Sequence, residues 1–166
     1  MDAPMMLIVA LVLTICALVF QIIGLASPYW VYLESGPAKV YSGLWKTCTE
    51  LQETTDCRDF DEVKDWLEAV QAMSILGFLV LLVAVVMTIL KLFVMKDNKP
   101  VLFAGIGTSF AGGIFILITV AVYAAKTNDL YDNFDFDYHF AFAFSIIAMI
   151  TAFAAGGVMI FGMMKE

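Results

Sequence analysis

The stretch SGLWKTCTELQETTDC (residues 42–57) holds two cysteines, Cys48 and Cys57, in a polar segment headed by Gly-Leu-Trp. Two cysteines at this spacing can form a structural disulfide, belong to a metal site or carry out redox chemistry. An oxidising compartment favours the disulfide, whereas a reducing one favours the other two roles. The role of the pair therefore depends on where the flanking sequence places it.

The flanking sequence is typical of an integral membrane protein. Of the 166 residues, 62% are hydrophobic, whereas a soluble domain has about 45–50% apolar residues. Four apolar runs are each long enough to cross a hydrocarbon core of about 30 Å. They predict one domain (residues 1–166) with transmembrane helices at about residues 5–26, 69–94, 101–125 and 140–164. The first run lacks a basic start and exceeds the usual apolar region of a signal peptide, so we expect an uncleaved helix.

The distribution of lysines predicts how the chain is oriented in the bilayer. Lys91, Lys96 and Lys99 lie in or beside the short link at about residues 95–100. Basic residues in short loops mark the cytoplasmic side of a membrane. Both termini are therefore predicted to be cytoplasmic, and the loops at about residues 27–68 and 126–139 extracellular. The predicted location is the plasma membrane.

Charge also excludes several functions. The first extracellular loop carries nine acidic and four basic residues, and the second carries four acidic residues and one lysine. An acidic protein with a net charge of −7 is not expected to bind nucleic acid. The interiors of the apolar runs carry no charged residue, which argues against a pump, a transporter or a voltage sensor. No nucleophile–base set is visible, so neither an enzyme activity nor a cofactor is predicted.

In an extracellular loop, Cys48 and Cys57 are expected to form a structural disulfide. A zinc site needs further ligands, and the single histidine, His139, lies in the other loop. A redox centre prefers the closer Cys-x-x-Cys spacing. The zinc and redox roles remain as less favoured alternatives, and no metal site is predicted.

Both loops contain predicted secondary structure. Residues 29–34 alternate in the manner of a strand and end at a Gly-Pro turn signal, and residues 39–45 resemble a second strand that pairs back. Asp59 and Glu62 have capping-box spacing ahead of a helical apolar face, so a helix is expected to start there and continue into the second span. In the second loop, residues 134–138 predict a short strand that pairs with the first-loop strands.

The spans carry small residues where other membrane proteins carry charges. Rows with a four-residue period are candidate helix-packing surfaces, because small side chains let helix backbones approach closely. The row in span three consists of Gly105, Ser109 and Gly113, and the row in span four consists of Ala148, Ala152 and Gly156. Packing within the bundle is the favoured interpretation, and lateral self-association is the alternative. Gln21, in the first span, is expected to form an interhelical hydrogen bond.

Six first-loop residues carry a family resemblance: Trp30, Gly43, Leu44, Trp45, Cys48 and Cys57. In a four-span protein they resemble the signature of the superfamily of claudins, peripheral myelin protein and epithelial membrane proteins. Three further segments look closer to the epithelial and peripheral myelin members than to tight-junction claudins: DWLEAVQAMSIL (65–76), VYAAK (122–126) and DYHFAFAFSI (137–146).

The resemblance implies a claudin-like fold, a left-handed bundle of four transmembrane helices with a small extracellular antiparallel sheet. Trp30 and the Gly43–Trp45 segment would anchor that sheet to the helices, and the Cys48–Cys57 disulfide would join two of its strands. Two features depart from claudins. The sequence given ends shortly after the fourth span, and Glu68 and Gln71 lie where claudins often carry an arginine.

Three non-enzymatic functions follow from this pattern. The first is cell adhesion or membrane organisation at cell junctions, with lateral association with itself or other membrane proteins in the lipid bilayer. The second is an auxiliary subunit that modulates a channel or receptor. The third is a claudin-type paracellular cation pore. Glu50, Glu53 and Asp56 are the candidate charge-selective or partner-facing residues.

Overall fold

The computed structural model describes residues 3–60, 62–130 and 136–165. Within these ranges four helices are each long and apolar enough to cross a membrane. They are α1 (Ala3–Ala26), α2 (Asp65–Ile89), α3 (Lys99–Leu130) and α4 (Phe140–Met164). A π-helical turn, Leu90–Val94, continues α2. The predicted four-helix membrane fold is confirmed.

A small antiparallel sheet covers one end of the bundle, which we call the sheet end. Its strands in the described part of the chain are β1 (Val31–Ser35), β2 (Ala38–Ser42), β3 (Lys46–Leu51), β4 (Thr54–Asp59) and β5 (Phe136–Tyr138). Their order is β4-β3-β2-β1-β5, so β5 from the second loop pairs with β1 from the first. Most of the predicted second-loop strand is present, and its residues 134–135 lie outside the described residues.

The structure corrects two predictions in the first loop. The strand predicted for residues 39–45 ends at Ser42, because Gly43 N donates to Lys46 O and turns the chain into β3. The predicted capping box is absent: Asp59 is the last residue of β4, where it pairs with Lys46, and α2 begins only at Asp65. Strand pairing occupies the residue that the capping box required.

The ends of two helices also extend past the predicted spans. α2 starts four residues before residue 69, and α3 continues five residues beyond residue 125. Thr127, in that extension, is buried beneath the sheet end. Packing against the sheet therefore keeps these polar turns helical after the apolar run has ended.

The core has two parts. At the sheet end, a cluster of buried side chains that includes Trp30, Val31, Leu44 and Tyr123 joins the sheet to the helices. Within the bundle, α1 packs mainly against α4 and α2 mainly against α3, while α3 and α4 join the two pairs. Buried side chains of the sheet and of the helices thus form one continuous cluster at the junction.

Candidate functional site

Two signature tryptophans hold the C-terminal end of α1. The indole N–H of Trp30 donates to Gly24 O at 2.6 Å, and that of Trp45 donates to Leu25 O at 2.8 Å. The last carbonyls of a helix have no partner within the helix and need one elsewhere. Trp30 is fully buried, so its indole supplies a hydrogen bond that water cannot reach. The two tryptophans therefore join the first-loop sheet to the first helix.

Gly43 and Leu44 complete this junction. A Cβ atom added at Gly43 would lie 2.6 Å from Pro28 Cα, so only glycine allows the two backbones to approach so closely. Leu44 is fully buried, and its carbonyl accepts a hydrogen bond of 2.7 Å from Gln71 Nε2 on α2. The Gly-Leu-Trp turn is consequently bound to both α1 and α2.

Cys48 and Cys57 form a disulfide and lie directly opposite one another in the β3–β4 ladder. Cys48 is buried and Cys57 is exposed. The bond thus ties the outer strand β4 to β3, which is itself held at its base by the Gly-Leu-Trp turn. This pairing is the structural disulfide that the sequence predicts.

The second loop is attached at the same place. His139 N donates to Trp30 O at 2.9 Å, and Ala141 N donates to Tyr29 O at 3.1 Å. The Trp30 ring packs against Tyr123 of α3, with centroids 4.9 Å apart, and against Phe142 of α4 at 5.6 Å. Trp30 therefore contacts α1, α3 and α4 at once and is the centre of the junction.

A buried hydrogen bond below the junction links α1 to α2. Gln21 Nε2 donates to Ser74 O at 2.9 Å and to Ser74 Oγ at 3.0 Å. The sequence predicts an interhelical bond for Gln21, and the structure supplies its partner. Because Gln71 and Ser74 lie one turn apart on α2, the same helical face binds both the sheet and α1.

The three candidate acidic residues do not share a surface. Glu50 lies on β3 on the same face as Cys48, whereas Asp56 lies on β4 on the opposite face, because side chains alternate along a strand. Glu53 lies in the two-residue turn between these strands. Asp56 accepts a hydrogen bond from Arg58 Nε at 3.0 Å, and both side chains are exposed.

The small residues singled out from the sequence line the interior of the bundle. All six members of the two rows are buried: Gly105, Ser109, Gly113, Ala148, Ala152 and Gly156. A Cβ atom added at Gly113 would lie 2.7 Å from the Phe153 ring of α4, and one added at Gly156 would lie 2.7 Å from the Phe110 ring of α3. The glycines therefore receive aromatic rings from the facing helix.

One tyrosine on the sheet, Tyr32, has a raised pKa. The hydroxyl of Tyr32 donates to the Glu34 carboxylate on the same face of β1. This hydrogen bond, with smaller contributions from burial and neighbouring negative charge, raises the pKa of Tyr32 to about 12. In the second loop, burial raises the pKa of Tyr138, whose hydroxyl points towards Asn128 of α3.

The hydrogen bonds and ring contacts of this site join the sheet to the helices. In residues 3–60, 62–130 and 136–165, no three side chains of His, Cys, Asp or Glu lie close enough to hold a metal ion.

Two residues of the junction, Gln71 and Tyr123, were not predicted from the sequence. A polar side chain in the first turns of an apolar run was the available signal for Gln71, whereas nothing in the sequence distinguished Tyr123 from other interfacial aromatics.

Comparison with known proteins agrees with this geometry. The family model described as "PMP-22/EMP/MP20/Claudin family" matches residues 1–164. The chain is 30% identical over 135 residues to a Danio rerio protein named "p53 apoptosis effector related to PMP-22", covering 80% of this chain and 70% of the relative. The predicted closeness to epithelial and peripheral myelin members stays a prediction. With four signature residues gathered at one junction, the other two joined as a disulfide, and the match spanning both loops and all four helices, the chain belongs to the PMP-22/EMP/MP20/claudin family.

Proposed function

We propose that this integral membrane protein is a non-enzymatic contact protein that presents its sheet outside the cell and associates laterally within the plasma membrane. The supporting observation is the rigid attachment of the sheet: Trp30, Trp45 and Gln71 bind it to α1 and α2. β4, at the edge of the sheet, is exposed along its whole length. An exposed surface on a firmly held base suits recognition of another protein.

The proposed orientation has both termini in the cytoplasm. Lys96 and Lys99 lie at the end of the bundle away from the sheet, as expected for the cytoplasmic side. Membrane-impermeant labelling of a single cysteine placed at Asn98 or at Thr55 in intact cells distinguishes the two sides. We expect labelling at Thr55 alone, and labelling at Asn98 before permeabilisation would contradict the orientation.

Cell contact and lateral association are tested by expressing the protein in cells that otherwise lack contacts. We expect cell aggregation, together with energy transfer between two differently tagged copies in one membrane. The two rows of small residues are buried within the bundle, so lateral contacts would use the outward-facing helix surfaces. Dispersed cells and strictly monomeric protein would exclude this function.

An auxiliary role towards a channel or receptor is the alternative. It draws on the same rigid sheet, with a different partner bound to it. Affinity purification from native membranes separates the two functions, because an auxiliary subunit brings down one channel or receptor in constant ratio. Recovery of the chain with itself alone would count against the auxiliary role.

A paracellular cation pore is the third function. The geometry of the β3–β4 hairpin limits which acidic residues could line one ring of charge in such a pore. Glu50 and Asp56 lie on opposite faces of the β3–β4 hairpin, so a single ring of charge cannot use both. The pore is tested by conductance across a cell layer that expresses the protein, before and after Glu50→Lys. An unchanged preference for cations over anions would count against it.

A further inference from the structure

A small cavity lies at the sheet end, between the start of α2, the end of α3 and the base of the sheet. Its volume is about 140 Å³. Three aromatic side chains line it: Phe60 from the segment that follows β4, Trp66 from the first turn of α2 and Tyr123 from α3. Thr127, one turn beyond Tyr123, is buried at the same cavity. Three separate segments of the chain thus supply its aromatic walls.

The two larger rings form a corner. The centroids of Trp66 and Tyr123 lie 6.2 Å apart, and their planes cross at 63°. Tyr123 is buried and held in place by the Trp30 ring, at a centroid distance of 4.9 Å. Rings that enclose a space at a steep angle can bind a quaternary ammonium group, because the ring faces carry partial negative charge.

The size of the cavity fits such a group. At about 30 Å³ for each water in the liquid, 140 Å³ corresponds to about four to five waters. This volume is comparable to a nitrogen atom that carries three methyl groups and a methylene. A primary ammonium has three N–H donors that each need an acceptor, whereas a quaternary ammonium has none. Walls made mostly of rings therefore favour the quaternary group.

The mouth of the cavity carries one charge of each sign. Glu62 and Lys64 both line it, and both are exposed. A carboxylate attracts a bound cation, and a lysine ammonium is a common partner of phosphate. The cavity and its mouth together therefore offer complementary charge to both ends of a zwitterion.

The cavity lies at the depth of the lipid headgroups. Lys126 is the first charged residue after the apolar run of α3, so Tyr123 belongs to the last apolar turn. Thr127 lies about 6 Å further along the helix axis. The headgroup layer on each side of a bilayer is about 5–8 Å thick. Anionic lipids are concentrated in the cytoplasmic leaflet, so in the proposed orientation the sheet end meets mainly zwitterionic lipids.

We propose that this cavity binds the phosphocholine headgroup of an outer-leaflet lipid. The trimethylammonium group lies between the rings of Trp66 and Tyr123, and the phosphate lies towards Lys64. The choice of leaflet rests on the proposed orientation, whereas recognition of the headgroup does not. A bound lipid would fill the space between sheet and helices from the membrane side.

A pair of lipids that differ only in their amine tests the proposal. The full chain in maltoside micelles, which contain no choline, is mixed with lysophosphatidylcholine or with lysophosphatidylethanolamine of equal chain length. Native mass spectrometry counts the lipids that each protein molecule retains. We expect a preference of about tenfold for the choline lipid, because only its headgroup is matched by the aromatic walls. Equal retention of the two lipids by the wild type overturns the proposal.

Variants of the walls show whether the preference comes from this cavity. Trp66→Leu should abolish the preference, Trp66→Phe should keep part of it, and Glu62→Gln should weaken it about threefold. Phe140→Leu is the matched control, because Phe140 is an exposed aromatic at the same end of the bundle and does not line the cavity. Circular dichroism establishes that each variant is folded.

Two results contradict the proposal. An undiminished choline preference in folded Trp66→Leu, or, if that variant does not fold, in both Trp66→Phe and Glu62→Gln, would place lipid binding elsewhere on the protein. Soluble phosphocholine is the third probe: tighter binding of it than of the lysolipid would assign the cavity to a soluble ligand. Because binding is measured in micelles, either result leaves the proposed orientation and contact function standing.

Discussion

At the scale of single residues, the signature tryptophans cap the C-terminal end of α1. Their indole N–H groups donate the hydrogen bonds that water would otherwise donate to the last carbonyls of the helix. The end of a membrane helix leaves carbonyl groups without partners at the depth where water is scarce. Trp30 and Trp45 reach back to Gly24 and Leu25 and satisfy two of these groups. Their large rings also pack at the junction, so each residue combines a polar and an apolar role.

Gln71 is expected to be as important to the junction as the tryptophans. Gln71→Met keeps the volume of the side chain but removes the donor to Leu44 O, leaving a buried carbonyl unpaired at a cost of about 1–3 kcal/mol. Thermal unfolding in detergent measures the loss. Gln71→Arg, which restores a donor, should recover part of it, and exposed Glu68→Gln should have little effect. Equal stability of Gln71→Met and the wild type would exclude a role for this bond.

The Tyr32–Glu34 pair predicts a titration that can be observed directly. The raised folded pKa of about 12 exceeds the ordinary value of about 10, so the folded state holds this proton more tightly. The stabilisation is therefore complete below pH 10 and is lost as the pH rises through about 12. Phenolate absorbance should show a late-titrating tyrosine that disappears in Tyr32→Phe and moves to lower pH in Glu34→Gln. An unchanged titration curve in both variants would contradict the assignment.

At the scale of secondary-structure elements, the two tight turns of the sheet can be compared for backbone strain. The first turn residue has positive φ in both: Gly36, with φ of 60°, between β1 and β2, and Gln52, with φ of 57°, between β3 and β4. Gln52→Gly removes a left-handed strain of roughly 1–2 kcal/mol, offset by the greater freedom of glycine in the unfolded chain, roughly 0.5–1 kcal/mol. A net gain between zero and about 1.5 kcal/mol is expected in the hydrogen-exchange protection of β3 and β4. Gly36→Ala provides the opposite control: no atom lies within 4 Å of the added methyl group, so any loss reflects backbone conformation alone.

The packing of α3 against α4 depends on glycines at particular positions. In Gly113→Ala the new methyl group would lie 2.7 Å from the Phe153 ring, and overpacking of this kind costs about 1–3 kcal/mol. In Gly107→Ala nothing lies within 4 Å, so the better helix former should be neutral or slightly stabilising. Unfolding of both variants in mixed micelles measures the difference. Equal effects of the two substitutions would show that helix propensity, not packing, governs α3.

At the scale of the whole molecule, the sheet is bonded to α1 and α2, and we expect its outer hairpin to lose stability without unfolding the bundle. Cys48→Ser or Cys57→Ser should leave the four helices intact while loosening the outer hairpin, by about 2–3 kcal/mol for so short a ring. We expect lower surface delivery and faster proteolysis of the sheet, with unchanged helical content by circular dichroism. Cys16→Ser, in α1, is the matched control and should behave as the wild type. Normal delivery and protease resistance of both disulfide variants would contradict this expectation.

The membrane fold and the family could be read from the sequence because their signals are local. Four long apolar runs determine four helices, since only helices satisfy the backbone over such lengths in lipid. The disulfide follows from two nearby cysteines in a loop whose charge predicts an oxidising compartment. The signature residues identify the family because they recur in fixed order. The capping box predicted from local spacing is wrong, because the long-range pairing of Asp59 with Lys46 places Asp59 in a strand.

The sequence by itself thus determined the helices, their approximate ends, the disulfide and the family. Only the tertiary structure decided that Gln71 binds the carbonyl of Leu44, that Trp30 contacts three helices, and that Glu50 and Asp56 lie on opposite faces. These facts depend on strand register and on contacts between residues far apart in the chain. A shift of one residue in register would exchange the two faces of β4, and no local pattern in SGLWKTCTELQETTDC specifies that register.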